Sequence, residues 1–178
     1  MDFLKTSIEG AMLIKRKAIK DSRGYFGRLY CEKEFSENGM LDKFVQDNIC
    51  FNEKKHTIRG LHYQSVKQEG KLVTCLKGSI WDVCVDIRKN SNTLCKYVAY
   101  ELSDSNQCML FIPKGCAHGY ITLEDNCVVL YKMTEFYIPG NDGGYRYDDP
   151  SFGVEWPCDM RDIVISEKDK KLPFFGDV

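Results

Sequence analysis

The chain has 178 residues, 43% of them apolar and 29% charged, a composition that excludes disordered, collagen-like and fibrous proteins and suits a single globular domain over residues 1–178. Twenty-five lysines and arginines against 26 aspartates and glutamates leave a formal net charge of −1, with no basic block of the kind that marks nucleic acid as the main ligand. The longest apolar runs, such as Cys127 to Tyr131, fall far short of the roughly 20 residues that cross a bilayer; with no apolar h-region before Arg16, a cytoplasmic protein with no membrane partner is expected.

Along the chain, helical periodicity is weak. One short helix is expected around Glu32 to Asn38 and another, a turn or two long, near Ser166 to Lys171. Lys71 to Leu76 and Ser79 to Arg88 flank Lys77-Gly78 and read as a hairpin. In its second arm Trp81, Val83, Val85 and Ile87 share one face while Asp82 and Asp86 share the other, the period of two of a half-buried strand. Further turn signals at Asn90-Ser91-Asn92, Ser103-Asp104-Ser105-Asn106, Pro113-Lys114-Gly115 and Glu124-Asp125-Asn126 recur about every ten to thirteen residues, the spacing of an all-β sandwich or closed barrel. No Gly-x-Gly-x-x-Gly follows a strand and no Walker A lysine occurs, so neither familiar nucleotide site is written here. Nine cysteines include no Cys-x-x-Cys pair, and Cys75, Cys84, Cys108 and Cys127 lie in apolar runs where a reduced thiol packs as a small hydrophobe.

Chemistry has few places to reside. Three histidines occur, His56, His62 and His118. His62 stands in the strand-like run Thr57 to Gln64, where Gly60 is placed to form a bulge that would bring Arg59 and His62 to one side; the structural alternative is a hydrogen-bonded histidine in a barrel wall. His118 follows Pro113-Lys114-Gly115 and reads as a turn histidine bonded to backbone, or as a pocket residue. Two inward histidines can hold a metal only with a third ligand, and the His-x-His spacing for it is absent, so no metal site is expected. Ser166-x-x-Asp169 resembles a capping box, a purely local use for Asp169. Lys71 and Tyr131 lie in strands, where lysine is usually solvated and tyrosine half-buried.

Taken in order, these residues fall within longer motifs. Arg23-Gly24-Tyr25-Phe26, Gln46-Asp47-Asn48, Ile58 to Gln64, Gly70-Lys71-Leu72-Val73, Val83 to Arg88, Ile112 to Gly119, Tyr131 to Thr134, Asp149-Pro150, Glu155-Trp156-Pro157 and Ser166 to Asp169 closely resemble the dTDP-4-dehydrorhamnose 3,5-epimerase family. The resemblance implies a cupin-type jelly-roll β-barrel with short peripheral helices, usually a homodimer, acting without metal or redox cofactor on a nucleotide-linked 4-keto-6-deoxyhexose. It implies His62 as the base, Asp169 as the carboxylate paired with it, Lys71 near the C4 oxygen and Tyr131 as the acid on the opposite face. Arg23 and Arg59 resemble the diphosphate contacts, and Phe26, Gln46, Asn48 and His118 resemble residues lining the nucleotide and sugar pocket.

The sequence departs from the family pattern at three places. Arg28 stands where a glutamate is customary against the thymine ring; arginine only donates, which suits the acceptors of cytosine and raises a CDP-linked sugar as an alternative. The loop between His62 and Lys71 lacks the usual proline and is one residue shorter, and Asp142 stands near a customary glutamate. Relatives that invert one carbon and relatives that invert two share the same histidine, aspartate and tyrosine, so the resemblance leaves that choice open, together with a catalytically silent nucleotide-sugar-binding barrel.

Overall fold

The computed structural model describes residues 1–177. Two antiparallel sheets face each other. The first has the order β1 (Asp2–Lys5), β2 (Met12–Lys15), β10 (Cys108–Ile112), β7 (Lys71–Lys77), β12 (Cys127–Met133) and β5 (Gln46–Asn52). The second has the order β13 (Asp142–Gly144), β6 (Ile58–Gln64), β11 (Cys116–Thr122), β8 (Ser79–Asp86) and β9 (Tyr97–Ser103). A separate two-stranded ribbon, β3 (Ala18–Asp21) with β4 (Gly24–Gly27), stands apart from both. The all-β sandwich or barrel read from the turn spacing forms, as the jelly roll that the family resemblance implies. Both expected helices form, as α1 (Glu32–Glu37) and α2 (Glu167–Lys170). No helix is long and apolar enough to cross a membrane.

The main core lies between the sheets. Val73, Cys75, Leu110, Ile112 and Val129 of the first meet Ile80, Cys84, Val98, Leu102 and Tyr120 of the second. Each such side chain removed from water contributes roughly 1.5–3 kcal/mol. The outer face of the first sheet is covered in part by α1, whose Phe35 packs on Ile14, Leu72 and Met109. The outer face of the second sheet is covered by the C-terminal segments, where Tyr145 and Phe152 close over Leu61, Val83, Val85 and Ala117. All nine cysteines are free thiols, and Cys75, Cys84 and Cys127 are fully buried.

Two expectations about β7 and β8 fail. These strands do not pair as a hairpin: β7 lies between β10 and β12, whereas β8 lies between β11 and β9 in the other sheet. Gly78, at φ +79°, turns the chain across the sandwich, and a Cβ there would lie 2.7 Å from Cys127 Sγ. The face of β8 that carries Ile80, Asp82, Cys84 and Asp86 turns toward the first sheet, and the C-terminal segments cover the Trp81–Val85 face, so β8 is buried on both sides. Asp82 and Asp86 therefore do not mark a solvent face; both are fully buried.

Candidate active site

A cleft of about 300 Å³ opens between the two sheets. Alternation along each strand decides what reaches it. On β7, Lys71 shares the inward face with Val73 and Cys75, while Leu72 packs on the outer cluster. On β12, Tyr131 follows Val129 inward. On β5, Gln46, Asn48, Cys50 and Asn52 share one face at a period of two, leaving Ile49 and Phe51 exposed on the other.

The second sheet supplies the facing wall through a bulge. His118 pairs with His62 and Tyr120 with Arg59, so β6 carries one residue more than β11 between the two pairs. Without that extra residue, positions 59 and 62 would point to opposite faces; with it, both line the cleft. Gly60, at φ +122°, faces Gly119 so closely that a Cβ on Gly60 would lie 2.5 Å from Gly119 Cα, and one on Gly119 would lie 2.8 Å from Arg59 O. Glycine at both positions is what the bulge requires.

The third wall is α2. Ser166 is its N-cap and accepts the Asp169 N–H at 3.1 Å. The reciprocal half of a capping box is not made, because the Asp169 carboxylate turns into the cleft. Its Oδ1 lies 2.8 Å from His62 Nε2, and its Oδ2 accepts the Gly60 N–H at 3.3 Å. Burial pushes this carboxyl up, but the hydrogen bond and charge of His62 and the Gly60 N–H outweigh it, so the group lies below its ordinary value and is ionised. An ionised carboxylate only accepts, so the hydrogen shared by the pair is on His62 Nε2, and in the neutral imidazole the lone pair is then on Nδ1.

Around this dyad stand the other charged and polar groups. Lys71, 8% exposed, is not the solvated strand lysine of the local reading: its Nζ lies 3.0 Å from Glu69 Oε1 and 3.4 Å from His62 O. Tyr131 Oη is 3.5 Å from Cys50 Sγ. Burial, then Cys50, pushes its phenol well above the ordinary range, so Tyr131 keeps its proton at neutral pH. His118 lies within β11 rather than in the preceding turn, and its Nε2 meets Asp82 Oδ1 at 2.7 Å rather than backbone. Burial pushes the Asp82 carboxyl up against the pull of His118 and Lys71.

The cleft thus brings together His62, Asp169, Tyr131, Lys71, Arg59 and His118. Gln46 and Asn48 lie further along the inward face of β5, bonded to each other at 3.1 Å. Arg23 and Phe26 do not line the cleft. They sit on the β3–β4 ribbon, where Arg23 is paired with Asp21 at 2.6 Å and Phe26 is 75% exposed. Arg28 does not line the cleft either; its Nη1 pairs with Glu34, and its side chain is 60% exposed. Sequence reasoning missed Cys50, Tyr120 and Lys168, which also line the cleft; the period-two pattern carried from Asn48 would have reached Cys50. Among the described residues, no group of three or more His, Cys, Asp or Glu side chains is placed to hold a metal ion.

A family model described as dTDP-4-dehydrorhamnose 3,5-epimerase matches residues 5–177. The chain belongs to that family. It is 47% identical over 169 residues to the dTDP-4-dehydrorhamnose 3,5-epimerase of Methanothermobacter thermautotrophicus, covering 94% of this chain and 91% of that one. The crystal structure of the Elizabethkingia anophelis epimerase superimposes with a TM-score of 0.94 at 38% identity, over 99% of this chain and 97% of that one. A Legionella pneumophila 3,5-epimerase, solved in complex with dTDP-4-keto-L-rhamnose, superimposes with a TM-score of 0.94 at 36% identity, over 98% and 93% of the two chains. The fold is therefore shared across nearly the full length of these relatives.

Proposed function

We propose that the chain epimerises the carbons α to the C4 ketone of a dTDP-4-keto-6-deoxyhexose, with His62 as base and Tyr131 as acid. The observation that carries this reading is the His62–Asp169 pair in a cleft that also holds a protonated phenol and a buried ammonium. A proton α to a ketone leaves only if the enolate is stabilised, so the reaction needs a base, a positive group at the developing oxyanion and a donor that returns the proton from the other face. His62 Nδ1 removes the proton, and Asp169 stabilises the imidazolium that forms, as a carboxylate does in a catalytic triad. Lys71 offers its ammonium to the C4 oxygen, and Tyr131 delivers the proton that completes inversion.

Substrate binding falls to Arg59 in the cleft, with Gln46, Asn48 and His118 along its walls. Arg23 and Phe26 do not reach the cleft of their own chain, yet they match family contacts and lie exposed beside Ile19 and Tyr25. A homodimer in which the β3–β4 ribbon of one copy reaches the cleft of the other accounts for both facts.

His62→Ala tests the reading. The variant is expected to bind dTDP as the wild type does while losing turnover of dTDP-4-keto-6-deoxyglucose by at least about 10²–10⁴-fold, the range for loss of a general base. Retained turnover would sink the assignment of the base.

A further inference from the structure

Arg59 donates its Nε to Asn52 Oδ1 at 2.8 Å rather than to a carboxylate. Asn52 ends β5, is 2% exposed and is held from two further sides. Tyr120 Oη donates to the same oxygen at 3.2 Å, and Asn52 Nδ2 donates to the Cys127 carbonyl at 3.4 Å. Two donors on the oxygen and an acceptor before the nitrogen leave the amide one orientation. We infer that Asn52, braced by Tyr120, is the positioning residue that presents Arg59 to the substrate diphosphate.

The chemistry of the amide explains the choice of residue. A neutral acceptor at Nε fixes the plane of the guanidinium without cancelling its charge, so the Nη1 and Nη2 donors remain as a fork for phosphate oxygens. A carboxylate at position 52 would hold the same plane but neutralise the cation. An exposed arginine without such a tether loses rotamer freedom only on binding and pays for it in affinity. The tether also joins the two sheets, since Asn52 belongs to the first, and Arg59 and Tyr120 to the second.

The inference rests on Arg59 meeting the diphosphate, and a double-mutant cycle separates the two claims. Affinity for dTDP and for thymidine would be measured by calorimetry on the wild type, Arg59→Ala, Asn52→Leu and the double variant. We expect Arg59→Ala to weaken dTDP far more than thymidine, and Asn52→Leu to weaken dTDP about tenfold, in line with one hydrogen bond to a charged group. In the Arg59→Ala background Asn52→Leu should change dTDP affinity less than about twofold, because the residue it positions is gone. In turnover, the loss from Asn52→Leu should fall on KM and not on kcat. Equal weakening in both backgrounds, or none in either, would overturn the positioning role. Should Arg59→Ala bind dTDP as the wild type does, the diphosphate assignment fails and the positioning role with it. If Asn52→Leu does not fold, Tyr120→Phe enters the same cycle with an expected two- to fivefold effect that vanishes without Arg59; additivity there would equally overturn the inference.

Discussion

Asp169 Oδ1 lies 2.8 Å from His62 Nε2 across 107 positions of chain. The contact exists because two local devices converge: the Gly60 bulge that turns His62 inward, and the Ser166 cap that holds Asp169 on the first turn of α2 without using its carboxylate.

Asp169→Asn should therefore keep the helix and lose the chemistry. The amide retains the shape but not the charge that fixes the imidazole tautomer, and kcat should fall by about 10²–10⁴-fold with KM little changed. Steady-state kinetics beside a thermal melt checks this, and a variant that loses stability while keeping kcat would show the pair to be structural.

Lys71→Ala should lower kcat by about 10²–10³-fold and leave dTDP affinity within a few fold, because its charge matters most as the enolate forms. The substitution also strands Glu69, which is 5% exposed, so Lys71→Ala with Glu69→Gln controls for an unpaired buried carboxylate. A loss confined to substrate affinity contradicts the electrophilic role.

Tyr131→Phe should still wash the substrate proton into solvent while impairing net inversion, since removal by His62 does not need the phenol. Deuterium wash-in compared with product formation reads the two steps separately. Equal loss of both would make Tyr131 a packing residue.

Much of this site was legible in the sequence because it rests on short-range chemistry. Gly60 announced the bulge, and the family motifs placed His62, Lys71, Tyr131 and Asp169 together. What could not be read was set by sheet partnership. Lys77-Gly78 has the chemistry of a hairpin turn, and only the pairing of β7 with β12 and β8 with β11 shows that the chain crosses between sheets. Lys71 and Asp82 looked like surface charges because the way the two sheets face each other, not local pattern, decides which side of a strand turns into the cleft. Ser166-x-x-Asp169 signalled the cap correctly, but the destination of the carboxylate depended on a histidine more than a hundred residues earlier.

Acid stability should depend on Asp86. Burial pushes its carboxyl up, but donors from Arg88, Ser91 and Thr93 outweigh that and hold it far below the usual carboxylate range; Arg88 Nη2 and Nε approach at 2.7 Å and 2.9 Å. A carboxyl whose folded value is depressed contributes stability that is fully present above the unfolded value of about 3.9 and is lost as pH falls toward the folded one. Asp86→Asn should cost about 2–4 kcal/mol at pH 7 and flatten the decline of stability below about pH 4. Denaturant melts at pH 7 and pH 3 check both, and parallel declines in the two proteins would contradict the assignment.

The most direct measurement of the central claim is proton NMR of dTDP-4-keto-6-deoxyglucose with the purified protein in deuterated water, following C3 and C5 separately. Loss of both proton signals, abolished by His62→Ala, is the result predicted for base-catalysed exchange on either side of the ketone. A folded protein that binds dTDP yet exchanges neither proton would contradict the account.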